Sequence, residues 1–106
     1  MIIYNVTVNV DDDVLSSWLD WMTKKHIPDV LDTGLFIECK LSKILAEEAG
    51  GRSYSIQYLL KNWENYNLYQ SKHAPNLQKE HLEKFGNKCV AFRTLLRVDK
   101  VFKPHV

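Results

Sequence analysis

Residues 2–10 alternate between two sets: Ile2, Tyr4, Val6, Val8 and Val10 share one parity, and Ile3, Asn5, Thr7 and Asn9 share the other. A period of two puts each set on its own face of a strand, so the first strand is predicted to be apolar on one side only. Asp11, Asp12 and Asp13 then supply an N-cap and first-turn acids for a helix. Leu15, Leu19, Met22 and His26 follow at spacings of four, three and four, with Val14, Trp18 and Trp21 on the adjoining flank. Pro28 is expected to stop this helix, because it disfavours helical geometry at Ile27 and removes a donor. A short turn then runs through Leu31, with Gly34 reversing the chain. The second strand is predicted from about Leu35. Its alternation is poor, with Phe36 and Ile44 on one parity and Leu35, Ile37, Cys39 and Leu41 on the other, as an edge strand allows.

Glu47 to Arg52 forms the hairpin turn into the third strand, where Tyr54, Ile56, Tyr58 and Leu60 oppose Ser53, Ser55, Gln57 and Leu59. Asn62 caps a second helix holding Trp63, Tyr66 and Tyr69. His73-Ala74-Pro75 interrupts it, and Leu77, Leu82 and Phe85 continue it to Gly86. The fourth strand is predicted from about Lys88 to Lys100, with Val90, Phe92, Leu96 and Val98 assigned to the core and Cys89, Ala91, Arg93, Leu95 and Arg97 to the opposite face. The tail Val101 to Val106 shows no periodicity, leaving a strand extension and an unstructured end both open.

The order βαββαβ specifies an α+β, ferredoxin-like sandwich: an antiparallel four-stranded sheet in the order 4-1-3-2 with two helices on one face. The 106 residues are expected to form a single domain, 1–106, large enough to bury a core without disulfides or metals. A net charge of +1 is too small to point to a nucleic acid or an anionic membrane. The start of the chain has no basic leader, and no apolar run approaches the roughly 18 residues of a membrane span, so a cytoplasmic location is expected. Cys39 and Cys89 fall on opposite sheet edges, roughly 14 Å apart against a disulfide limit of roughly 7 Å, and are expected to be free thiols.

Helices cover one face of such a sheet, leaving Asn5, Thr7, Gln57, Arg93 and Arg97 on the open one. Ile3, Leu59, Cys89, Ala91 and Leu95 are placed there too, with Leu35, Ile37 and Leu41. That apolar patch is larger than monomers usually expose, so a homodimer through the open face is expected. Three segments carry a wider likeness: Ile-Ile-Tyr-Asn-Val-Thr-Val-Asn-Val at the start, Trp-Met-Thr-Lys-Lys-His-Ile-Pro-Asp-Val-Leu-Asp-Thr-Gly-Leu-Phe in the middle, and Val-Ala-Phe-Arg-Thr-Leu-Leu near the end. On these, the chain to about Val98 resembles a family of short bacterial proteins of unknown function whose fold is grouped with dimeric α/β barrels. The resemblance implies relatives that include cofactor-free monooxygenases, haem-degrading enzymes and small-ligand sensors. Fold membership transfers none of these activities.

His26, on the apolar stripe beside Pro28, is the candidate catalytic residue, as acid or base. Its competing role is to bond backbone carbonyls at the helix end, with Asp29 orienting the ring in either case. Tyr4, Trp18, Trp21, Tyr54 and Tyr58 could line an aromatic pocket between the first helix and the sheet, although aromatics at these spacings are commonly core. Arg93, with Asn5, Thr7 and Gln57, would bind an anion inside the dimer or satisfy polar groups across its interface. The expected ligand-binding set is Tyr4, Trp18, Trp21, Tyr58, Arg93, Asn5 and Gln57. No metal site is expected, because no His or Cys pair has ligand spacing; His73 and His81 read as exposed or helix-terminal. No cofactor motif appears, and none is expected to be bound. The RNA-recognition motif shares this element order, but its open-face aromatics are replaced by Ile3, Asn5, Ser55 and Gln57, which argues against RNA binding.

The leading reading is a homodimer that binds a small organic ligand. The alternatives are an enzyme resembling cofactor-independent monooxygenases, with His26 as base, and a structural or protein-interaction dimer with no pocket. A cavity of roughly 300 Å³ beside His26 would separate them.

Overall fold

Alternation shapes the sheet as expected along β1 (Ile2–Asp11) and β3 (Gly51–Leu60), which pair antiparallel over their full length, Ile2 opposite Leu60 and Asp11 opposite Gly51. β2 (Glu38–Lys43) adds to β3 and β4 (Cys89–Arg97) to β1, giving the order β2-β3-β1-β4 with every pair antiparallel. The computed structural model describes residues 1–105; the final residue of the predicted tail, Val106, lies outside them. β4 ends at Arg97, and residues 98–105 form no strand, although the Val98 amide still donates to the Met1 carbonyl.

The helical layer has two units, each broken once. The first joins α1 (Leu15–Trp21) to α2 (Ile27–Leu31), and the second joins α3 (Trp63–Lys72) to α4 (Ala74–Phe85). Asn62 caps α3 as predicted, its side chain accepting from the Asn65 amide at 2.9 Å. Both units pack on one face of the sheet. The core is built from Tyr4, Val8, Val10, Tyr54, Ile56, Tyr58 and Leu60 below and Trp18, Met22, Val30, Tyr69, Leu77 and Phe85 above.

Four expectations need correction. Pro28 does not stop the first helix: Met22–His26 widen into a π turn, in which the Ile27 amide reaches back to the Met22 carbonyl, and α2 continues with Pro28 in its first turn. The extra residue in that turn takes up the ring that would clash with a regular helix. The aspartates do not cap α1. A 3₁₀ turn at Asp12–Val14 precedes it, with no side-chain cap from Asp11, and Asp13 pairs with Lys88 at 2.9 Å. The parity of β4 is reversed: Val6 faces Arg93 and Tyr4 faces Leu95, so Cys89, Ala91, Arg93, Leu95 and Arg97 share the helix side, while Val90, Phe92 and Leu96 lie on the open face. In β2, Leu41 opposite Ile56 also belongs to the helix side, and Leu35 and Ile37 precede the strand.

The reason lies in burial. β4 is an edge strand that is exposed from Val90 onward, so apolar residues there do not mark an inner face. Cys39 and Cys89 are free on opposite edges, as expected. Burial pushes their thiols up to about 12 and about 11, which keeps both protonated and unreactive at neutral pH.

Candidate functional site

Between the helices and the sheet lies a cleft that opens to solvent at the β4 edge. Its floor is Tyr4, Val6 and Val8 of β1, Ile56 and Tyr58 of β3, and Ala91 and Arg93 of β4; Met22, His26, Tyr69, Gln78 and His81 close it from above. Reversing β4 is what brings Arg93 here, next to β1 and on the same side as Val6. The Arg93 Nε donates to the Tyr4 hydroxyl at 2.9 Å, which anchors the guanidinium at the lip of the cleft. No other lining residue is charged by type, and among the described residues no carboxylate pairs with Arg93.

Two imidazoles face this cleft, their ring centres 6.0 Å apart. His26 is placed by the π turn and stacks on Trp21, with centres 5.0 Å apart and planes 28° apart. Its Nδ1 is buried and, among the described residues, has no hydrogen-bond partner. Burial is the main reason that its pKa falls to about 4, with His81 lowering it further and Asp29 partly opposing the shift. Asp29 does not orient the ring; it accepts from Lys25 at 2.7 Å. Nor does His26 sit at a helix end, since α2 continues beyond it.

His81 is neither exposed nor helix-terminal, contrary to expectation: it is a partly buried residue inside α4. Its Nε2 accepts from the indole Nε1 of Trp18 at 2.9 Å. An indole can only donate, so this bond fixes His81 as the neutral tautomer with its proton on Nδ1. Burial, then the charge of Arg93, lowers its pKa in the same direction. Both rings are therefore uncharged at neutral pH, one with a buried nitrogen lacking a partner and the other with its tautomer set by a core tryptophan.

The expected site residues divide. His26, Tyr4, Tyr58 and Arg93 meet in the cleft. Trp18 does not line it, being fully buried against Tyr54 with ring centres 5.5 Å apart. Trp21 supports His26 from behind rather than facing the cleft. Asn5 and Gln57 are on the opposite face of the sheet, where Asn5 accepts from Ser55 at 2.6 Å and donates to Thr7 at 3.1 Å. Gln57 borders a shallow hollow with Ile3, Glu38, Lys40 and Leu59. His81, Gln78 and Tyr69 were missed as site residues. The signal for His81 was present, because Ala74, Leu77, His81 and Phe85 recur at spacings of three, four and four, the same pattern that singled out His26.

The cleft encloses about 70 Å³. That is room for about two waters or a compact organic group, and well short of the roughly 300 Å³ of a site for a drug-sized ligand. A larger groove of about 480 Å³ lies between the start of α3 and the end of β4, but its walls are Ile2, Trp63, Leu95, Leu96 and Arg97, and the one charged group among them is paired with Asp99 at 2.7 Å. The chemistry is in the smaller space. Among the described residues, no group of three or more His, Cys, Asp or Glu is placed to hold a metal ion. No helix among them is long and apolar enough to cross a membrane.

Residues 1–99 match the model of a domain of unknown function, DUF4286, and the chain belongs to that family. No curated protein is significantly similar to it. Among solved structures, it resembles a dimeric ferredoxin-like protein from an uncultured marine organism, with a TM-score of 0.70 and 16% identity over 98% of this chain and 100% of that one. A protein from Bacillus cereus, provisionally named an antibiotic biosynthesis monooxygenase, aligns with a TM-score of 0.66 and 13% identity over 97% of each chain. An ethyl tert-butyl ether (EthD) family protein from Bacillus halodurans aligns with a TM-score of 0.65 and 10% identity, over 89% of this chain and 97% of that one. At these identities the likeness establishes the shared ferredoxin-like fold and nothing about chemistry.

Proposed function

We propose that this member of the DUF4286 family is a homodimer that binds a small organic molecule in the cleft between helices and sheet. One observation carries the reading: Arg93, Tyr4, His26 and His81 converge on a solvent-open hollow whose remaining walls are mostly apolar. The dimer part of the proposal draws on the open face, where Val90 and Phe92 are 69% and 62% exposed, and on the dimeric description of one structural neighbour.

A second reading has a specific observation in its favour. The neutral imidazole of His26 could accept a proton from a bound substrate, and one of the structural neighbours carries a monooxygenase name. Its basicity counts against that role, since a pKa near 4 makes a poor base at neutral pH. The size of the cleft also counts against a flat aromatic substrate.

Nuclear magnetic resonance with a library of small fragments tests the binding reading. Binders are expected to move the Met22 methyl and the His26 and His81 ring signals together. Ala91→Leu, which crowds the mouth without removing a polar group, should abolish those shifts. Fragments that move none of these signals, or whose effects survive in Ala91→Leu, would refute a ligand site in the cleft.

A further inference from the structure

The charge inside the cleft is one-sided. Both imidazoles are uncharged at neutral pH, and burial raises the hydroxyl pKa values of Tyr58 and Tyr69. The remaining walls are Met22, aliphatic side chains and the Gln78 amide. Arg93 is thus the one formal charge on the lining, and its side chain lies at the exposed edge while its Nε is committed to Tyr4. Among the described residues, its two Nη groups make no hydrogen bond and no ion pair. A guanidinium held by Nε presents its Nη pair as a planar fork, which matches the two oxygens of a carboxylate. A permanent cation without a counter-ion, set at the mouth of a hollow of about 70 Å³, calls for a ligand that supplies the opposite charge and little bulk.

Resting on the cleft-binding reading, we propose that the ligand is a small carboxylate, its two oxygens on the Nη atoms of Arg93 and its short stem directed inward toward Tyr4, Tyr69 and Met22. His26 would meet a polar atom of that stem. With the carboxylate outside at the mouth, the hollow has room for about two or three heavy atoms of the stem, the size of a short keto or hydroxy acid, given that one water takes up about 30 Å³. The opposite face of the sheet has no part in this. Asn5 and Gln57 are directed away from Arg93, so the polar residues there neither bind the anion nor pair with the guanidinium.

The experiment pairs acids with their neutral isosteres, acetate with acetamide and pyruvate with pyruvamide, and follows the Met22 methyl, the His26 ring and the Arg93 Nε–H by nuclear magnetic resonance. The acids are expected to shift all three, and the amides are expected to bind about tenfold more weakly or worse, as loss of a charge-assisted hydrogen bond implies. Arg93→Gln should weaken pyruvate binding to the same degree, and Arg93→Lys, which keeps the charge and loses the fork, should recover only part of it. Because Arg93 is exposed on an edge strand, these variants are expected to stay folded, with unfolding midpoints lowered only by the loss of its bond to the Tyr4 hydroxyl. Equal binding of acid and amide, or no loss in Arg93→Gln, would overturn the carboxylate while leaving the cleft as a ligand site. Inorganic phosphate and the acids all moving only the Arg93 signal would also overturn it, by marking a lone surface cation. Pyruvate shifts that persist in Ala91→Leu would place the ligand elsewhere and sink the cleft reading itself.

Discussion

His26 joins stability to acidity. Its folded pKa is about 4, below the ordinary value of 6.5, so the unfolded chain takes up the proton first as the solution is acidified. The contribution of a neutral His26 is complete above about pH 6.5 and is lost as the pH falls toward 4. His81, shifted in the same direction, adds to the loss. Urea unfolding at pH 7 and pH 4.5 is expected to differ by about 2 kcal/mol on account of His26. The difference should shrink by about that amount in His26→Leu, and an undiminished difference in that variant would show that other groups govern the acid limit. How much of the site was legible also turns on single residues. Tyr4, Tyr58 and His26 were readable because strong alternation or a broad helical stripe set their direction. Arg93 was singled out for the right oddity, a guanidinium in mid-strand, and was then assigned to the wrong side. Trp18 was legible as a buried aromatic, but its bond to His81 joins residues 63 positions apart and leaves no trace in local spacing.

At the scale of elements, β1 and β3 were readable because each is buried on one face and half-exposed on the other. β4 was not, because both its faces meet solvent and its apolar residues are divided between them. The π turn was invisible for a different reason. A proline after a helical stripe predicts termination, whereas packing of Met22 and Val30 into one core holds the chain helical on both sides of Pro28. Close contact between strands yields a prediction as well. A Cβ on Gly51 would lie 2.9 Å from the Asn9 side chain and 3.0 Å from the Val10 carbonyl, and backbone cannot give way as a side chain can. Gly51→Ala is expected to destabilise the protein by about 1–3 kcal/mol, as overpacking does, with a lower urea midpoint and an unchanged slope. A midpoint equal to wild type would mean that the end of the β1–β3 ladder yields freely.

Across the whole molecule, Asn5, Thr7 and Ser55 form a hydrogen-bonded polar patch at the centre of the open face. The apolar surface gathers instead toward β4, on Val90, Phe92 and Leu96. If a second copy covers this side, Phe92→Glu should weaken self-association by at least about tenfold in sedimentation equilibrium, since desolvating unpaired like charges across a two-fold costs several kcal/mol. Wild-type protein that sediments as a monomer at every concentration would remove the dimer from the proposal. Among the described residues β4 has one hydrogen-bonded neighbour, β1, and its other edge is free; the same strand also provides Ala91 and Arg93 to the lip of the cleft. The doorway is therefore framed by unsaturated backbone, and any chain that annealed along it would become the missing doorpost, making admission to the interior and recruitment of a companion two uses of a single seam.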